Sequence, residues 1–137
     1  MVKDQSVIVA AAITRHGRLL LARRTRPPEV AGRWEMPGGR VEPGEPEAQA
    51  VQREIWEELG AGVLVGEFIA EHPLEGIGVL RVYAATIDGE SGDGEPRLLD
   101  HHDQLRWVAP ATANHLDMAP GDAGLLPLVM ARLGIVK

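Results

Sequence analysis

Gly39–Ala61 reads GRVEPGEPEAQAVQREIWEELGA, and it places Glu54, Glu57 and Glu58 at i, i+3 and i+4 of a predicted helix. A helix brings such positions onto one face, about 5–6 Å apart between Cβ atoms. Three negative charges there repel one another, so a purely structural helix gains nothing from the arrangement. A hard divalent cation such as Mg²⁺ or Mn²⁺ relieves the repulsion, because carboxylate oxygens are its preferred ligands. The turn just before, PGGRVEPGE, brings a glycine-rich backbone beside the acidic face. Together they suit a metal-complexed phosphate chain.

The wider chain gives these residues their setting. At 137 residues it is expected to form one domain, residues 1–137, with a single sizeable core. A net charge of −6 disfavours a nucleic-acid polymer or an anionic membrane as partner, since both need a basic footprint. A small anionic substrate is not disfavoured, because local cations and a bound metal decide its binding. With no cysteine, disulfides, zinc thiolates and thiol nucleophiles are excluded. Val7–Ile13 is too short to span a bilayer and lacks a signal-peptide layout, so a cytoplasmic protein is expected.

Ser6–Ile13 reads as a buried strand, Arg15-His16-Gly17 as a turn and Arg18–Arg23 as the second strand of a hairpin. Thr25–Arg33, with two prolines and a glycine, is expected to be a loop, and Trp34–Met36 a short extended piece. The helix is predicted from about Pro46 to Leu59 and ends at Gly60. Ala48, Val51, Ile55 and Leu59 should pack on a sheet while the glutamates face out. Further strands are predicted at Val63–Glu71, Gly78–Ile87 and Leu105–Val108, a glycine-rich acidic loop at Asp88–Pro96, a helical turn at Pro110–Leu116 and a last helix at Asp122–Leu133. Such an order predicts an α/β fold, a mixed sheet with helices on its faces.

The Gly39–Ala61 segment resembles the Nudix hydrolase signature G-x5-E-x7-R-E-U-x-E-E-x-G-U, where U is a bulky aliphatic residue. Gly39, Glu45, Arg53, Glu54, Ile55, Glu57, Glu58 and Gly60 stand where it asks, and only Ala61 is small for its place. A looser resemblance to the MutT-like branch runs through LLLARR, RWEMPGG and the late APGD. The resemblance implies an α/β/α sandwich around a mixed, partly curled β-sheet. It also implies Mg²⁺-dependent hydrolysis of a nucleoside triphosphate to the monophosphate and pyrophosphate, as pool sanitation or nucleotide turnover. Glu54, Glu57, Glu58 and the Gly39 carbonyl would hold the metal. Glu54, Glu57 and Arg53 form the catalytic set, with Glu54 as candidate base and Glu45–Arg53 as the pair tying loop to helix.

On the substrate side the resemblance points to Arg23 or Arg24 on a phosphate, of which strand alternation admits one to the site. Glu35, Met36 and Pro37 would wall the base pocket, with Gly38 allowing close backbone approach. Asp122 has two readings: an N-cap of the last helix, or a reader of the base edge. As an ionised acceptor it would favour a base rich in donors, cytosine first and oxidised guanine beside it. Asp100, His101, His102 and Asp103 form a polar cluster expected in a solvated loop. Alternatives within the class are hydrolysis of ADP-ribose, sugar nucleotides or dinucleoside polyphosphates; outside it stands a silent nucleotide-sensing module. The expected partner is the nucleotide alone, and the protein a monomer or homodimer.

Overall fold

The apolar run near the start of the chain becomes the centre of the sheet. Val9 to Ile13 are all buried within β1 (Ser6–Arg15), as a strand covered on both faces must be. The computed structural model describes residues 6–89, 95–99 and 102–133. After β1 the chain turns through His16 and Gly17, at φ 55° and 74°, into β2 (Arg18–Arg24). Positive φ at both loop residues matches the natural twist of a hairpin. The two strands pair only at Thr14↔Leu19 and Arg15↔Arg18 and then part.

That parting lets β1 and β2 take different neighbours. The other strands are β3 (Trp34–Glu35), β4 (Gly38–Arg40), β5 (Val63–Leu74), β6 (Gly78–Ile87) and β7 (His102–Val108). β1 runs parallel to β6 on one edge and antiparallel to β4 on the other, through Ile8↔Arg40, Val9↔Gly39 and Ala10↔Gly38. β5 pairs antiparallel with β6, and β2 lies antiparallel between β3 and β7. The mixed sheet thus has the order β3-β2-β1-β6-β5, with β4 added to β1 and β7 to β2.

Three helices are present among the described residues: α1 (Glu47–Leu59), α2 (Pro110–Ala113) and α3 (Pro120–Leu133). On one face, α1 packs Val51, Ile55 and Leu59 with Val9, Ala11, Ile13 and Leu20. On the other, α3 packs Leu125, Val129 and Met130 with Ala10, Ala12, Leu19 and Leu21. This is the expected mixed α/β sandwich, and β1 feeds both cores through alternate residues. No helix among the described residues is long and apolar enough to cross a membrane.

Several local expectations change. Ala48 is exposed and Ala50 is buried in its place. Helical periodicity sets which residues share a face, not how far the sheet runs beneath it. The start of α1 has no side-chain cap, Pro46 being its N-cap. Its first turn is held from β6 instead, where Glu47 Oε1 accepts from Arg81 Nε at 2.7 Å and Tyr83 OH at 2.5 Å. β5 runs on to Leu74, and β7 begins at His102, because their partners extend the ladders that far. Of the acidic loop, residues 90–94 lie outside the described residues.

Gly38 is where sequence and sheet depend on each other most tightly. A Cβ there would sit 1.9 Å from the carbonyl oxygen of Val9 and 2.7 Å from the Ala10 Cα. Both obstacles are backbone of the paired strand, so neither can swing aside. Gly38→Ala is expected to cost at least ~1–3 kcal/mol, the scale of overpacking, and to lower the melting temperature and activity together. Gly89→Ala, where nothing lies within 4 Å of the added carbon, serves as the control, and calorimetry on both variants checks the difference.

Candidate active site

A cleft of about 830 Å³ opens where the fold's parts converge. Its walls come from β4, the acidic face of α1, the Pro27–Val30 loop, the end of the β5–β6 hairpin and the start of α3. Glu54 and Glu58 line it, one helical turn apart. Glu58 is only 5% exposed. Glu57, the third predicted ligand, does not line the cleft, and its side chain is 55% exposed.

Arg53 organises this end. Its Nε and Nη2 donate to the two oxygens of Glu45 at 2.7 and 3.0 Å, and Nη2 also donates to the Arg40 carbonyl at 2.9 Å. Nη1 donates to Glu54 at 3.0 Å and Glu57 at 3.3 Å. The Arg53 bond and the Glu42 N–H hold the Glu45 carboxyl down at about 2. A depressed carboxylate stabilises the fold above its ordinary value and loses that effect as pH falls through about 2. The loop-to-helix tie therefore persists throughout the neutral range. These contacts make Arg53 a positioning residue for Glu54 and Glu57.

Among the described residues, no three acidic or histidine side chains close to the spacing of a coordination sphere; Arg53 stands between Glu54 and Glu57. The donor chemistry nevertheless fits a hard cation, since every candidate ligand is oxygen. Gly39 is part of the fit. A Cβ on it would fall 2.3 Å from the Glu54 carboxyl carbon, so a side chain there would push that carboxylate aside.

At the other end, Trp34–Met36 is zipped to the approach of α3. Trp34 N donates to the Asp117 carbonyl and Ala119 N to the Trp34 carbonyl, both at 2.8 Å. One step on, Met36 N donates to Asp122 Oδ2 at 2.8 Å. Helix α3 begins at Pro120, so Asp122 lies inside its first turn. It is not the N-cap of the sequence reading: its carboxyl points inward, 6% exposed.

Burial, with the charge of Glu35 nearby, pushes Asp122 up to about 8. That shift runs against the sequence reading of Asp122 as an ionised acceptor. A carboxyl that keeps its proton can donate as well as accept.

Arg24 lines the cleft with Glu35, Met36, Gly38, Gly39 and Asp122. Arg24 Nη1 donates to Glu35 Oε2 at 3.0 Å and Nε to the Arg26 carbonyl at 2.8 Å. Arg23 and Pro37 do not line it. Arg23 leaves by the opposite strand face and makes a two-pronged pair with Asp103, each contact 2.9 Å. Of the polar cluster, Asp100 and His101 lie outside the described residues. His102 is not a solvated loop residue; it is 5% exposed, with Nε2 2.9 Å from Glu35 Oε2. The signal that could have found it is the length of β7, which had to match β2.

The sequence pattern of the NUDIX domain matches residues 3–129. The chain belongs to the Nudix family. Within it the resemblance is to MutT-like members. The chain is 44% identical over 122 residues to a putative 8-oxo-dGTP diphosphatase 2 of Mycobacterium tuberculosis, covering 86% of this chain and 83% of the relative. It is 39% identical over 125 residues to the CTP pyrophosphohydrolase of Escherichia coli, covering 90% of each. The solution structure of the E. coli ORF135 protein superposes with a TM-score of 0.77 at 38% identity, covering 93% of this chain and 89% of that one. The MutT Nudix hydrolase of Burkholderia pseudomallei gives 0.76 at 34%, covering 93% and 99%. As a family, Nudix hydrolases use divalent metal ions.

In this Nudix hydrolase Asp122 should leave a mark on stability. A carboxyl raised from 3.8 to about 8 on folding holds its proton in the native state while the unfolded chain has lost it. Stability then falls as pH rises between those values and levels off above about 8. Asp122→Asn removes the titration. Its melting temperature is expected to change less than the parent's between pH 5 and pH 8, which thermal scans across that range will check.

Proposed function

We propose that this protein hydrolyses a nucleoside triphosphate to the nucleoside monophosphate and pyrophosphate, acting as one domain with Mg²⁺, or Mn²⁺ in its place. The observation that carries the reading is that one cleft brings Glu54 and Glu58 together with Glu35, Met36 and Asp122. The glutamate face of α1 suits the phosphates, and Glu35, Met36 and Asp122 suit the base. Similarity to relatives named for 8-oxo-dGTP and CTP supports the same class.

In this reading Glu54, Glu57, Glu58 and the Gly39 carbonyl hold the metal. When bound, the cation neutralises phosphate charge and lowers the pKa of an attacking water. Water adds to one phosphorus, a phosphoanhydride bond breaks, and pyrophosphate leaves; Glu54 takes the water's proton. Arg53 keeps Glu54 and Glu57 in register with β4. Arg24 presents the cationic fork closest to the base wall. Positioning and charge neutralisation supply most of the rate in such transfers. The setting would be the cytoplasm.

Base choice follows from the carboxyl pair. A neutral Asp122 donates and Glu35 accepts, so the wall suits an edge with one acceptor and one donor in sequence. Cytosine offers its ring nitrogen beside its amino group. Oxidised guanine offers a carbonyl beside its N1–H. Both therefore remain the favoured bases, and the lean towards cytosine that rested on an acceptor-only Asp122 is dropped.

A nucleotide panel with Mg²⁺ tests the proposal. Pyrophosphate should be the product from a triphosphate, with ¹⁸O from water entering one product only. Single phosphate release would remove the pyrophosphohydrolase reading. Turnover confined to ADP-ribose, sugar nucleotides or dinucleoside polyphosphates would replace the substrate class, and tight binding without turnover would indicate a sensor. Glu57→Gln or Glu58→Gln should cut turnover by about 10²-fold or more with the fold retained. Full activity of either at ordinary Mg²⁺ would remove that residue from the metal site.

A further inference from the structure

Glu35 faces the cleft, yet it is held from behind. Its Oε2 receives Arg24 Nη1 at 3.0 Å and lies 2.9 Å from His102 Nε2. The imidazole is sealed in, its side chain 1% exposed, while the Glu35 side chain is 14% exposed. A carboxylate oxygen that already accepts from Arg24 can only accept again, so Nε2 is the donor.

The strand register explains how a residue from the third strand along reaches this place. β2 pairs β7 through Ala22↔Leu105 and Arg23↔Gln104, and then Arg24 faces His102. Asp103 is the extra residue, a bulge in β7. Without it, Arg24 would face Asp103, and a third carboxylate would lie behind Glu35. With it, the register slips by one, the side chains exchange faces, and histidine stands there instead. Asp103 is turned outward, where Arg23 pairs with it. On the other side of β2, Ala22 faces Glu35 across β3. Arg24, two residues on, shares the Ala22 side of the strand.

We propose that His102 is a positioning residue for base recognition: through Nε2–H it fixes the Glu35 carboxylate, which with Arg24 and the Met36–Asp122 link forms the surface that reads the base. The inference rests on the reading of Glu35, Met36 and Asp122 as the base wall. Its reach is confined to that wall, since His102 is not among the residues lining the cleft and the α1 glutamates belong to a separate cluster around Arg53. Loss of the donor leaves Glu35 anchored by Arg24 alone, and the carboxylate is then free to turn away from the base edge.

Five variants and one competitor test this. His102→Leu should raise KM for the preferred nucleoside triphosphate by about 10-fold or more, the scale of one hydrogen bond to a charged group. Its kcat, and inhibition by inorganic triphosphate as a probe of the phosphate end, should stay within about 3-fold of the parent. His102→Gln retains an N–H at similar reach and should restore KM to within about 3-fold. Glu35→Gln alone should match the double variant His102→Leu/Glu35→Gln, because both changes act through one carboxylate.

If Glu35→Gln raises KM but His102→Leu does not, the base wall stands and the role of His102 is overturned. If neither Glu35→Gln nor Asp122→Asn alters KM or the ranking of cytosine against oxidised guanine nucleotides, the base wall itself is wrong and the inference goes with it. Where His102→Leu does not fold, ¹⁵N NMR of the unaltered protein decides. Nε2 should carry a proton, and an Nδ1–H tautomer with bare Nε2 overturns the proposal.

Discussion

One guanidinium holds the acidic end of the cleft in place. Arg53 joins three pieces of chain that would otherwise be independent: the Glu45 turn, the end of β4 at Arg40, and the acidic face of α1. Only a planar fork can serve a carboxylate in two-pronged fashion and still reach a carbonyl and two further glutamates. A lysine has one point of charge and would have to choose. The same contact restrains the mutual repulsion of Glu54 and Glu57, so the acidic face can exist before any cation arrives. Everything at this end of the cleft depends on that arrangement.

The opposite end is built on a different principle. There, backbone bonds between Trp34 and the Asp117–Ala119 approach set two distant pieces of chain side by side, and a buried carboxyl closes the seam on Met36 N. Burial of an acid is unfavourable unless its charge is given up or matched. Asp122 meets this with the Met36 N–H, its own backbone N–H and a raised affinity for its proton.

What the sequence disclosed, and what it kept back, divides by sequence separation. The α1 face, the Gly60 stop, the hairpin at His16-Gly17 and the central strand were legible because each rests on residues within a few positions of one another. Glu45 and Arg53, eight apart, were still within reach of a motif. His102 and Glu35 are 67 apart and Asp122 and Met36 are 86 apart, and neither pair has a local pattern. A run of Asp, His, His and Asp looks like solvated loop until the pairing of β7 with β2 is known. A bulge leaves no clear trace in one sequence, because only the partner strand reveals which residue is the extra one. Asp122 misled for a related reason: an Asp after Pro-Gly has the chemistry of a cap, and nothing nearby shows that the helix has already begun.

β1 places its odd residues, Val9, Ala11 and Ile13, in the core under α1 and its even residues, Ala10 and Ala12, in the core under α3. It also carries a paired strand on each edge, β4 and β6. For most strands, one residue gained or lost can be absorbed at an end or taken up as a bulge, as β7 does. Here a single-residue deletion would exchange the contents of the two cores. It would also move Val9 out of register with Gly39 and Ile8 with Leu80 in the same stroke. Sequence drift in this segment is therefore confined to substitution, while changes of length must be taken up elsewhere in the chain.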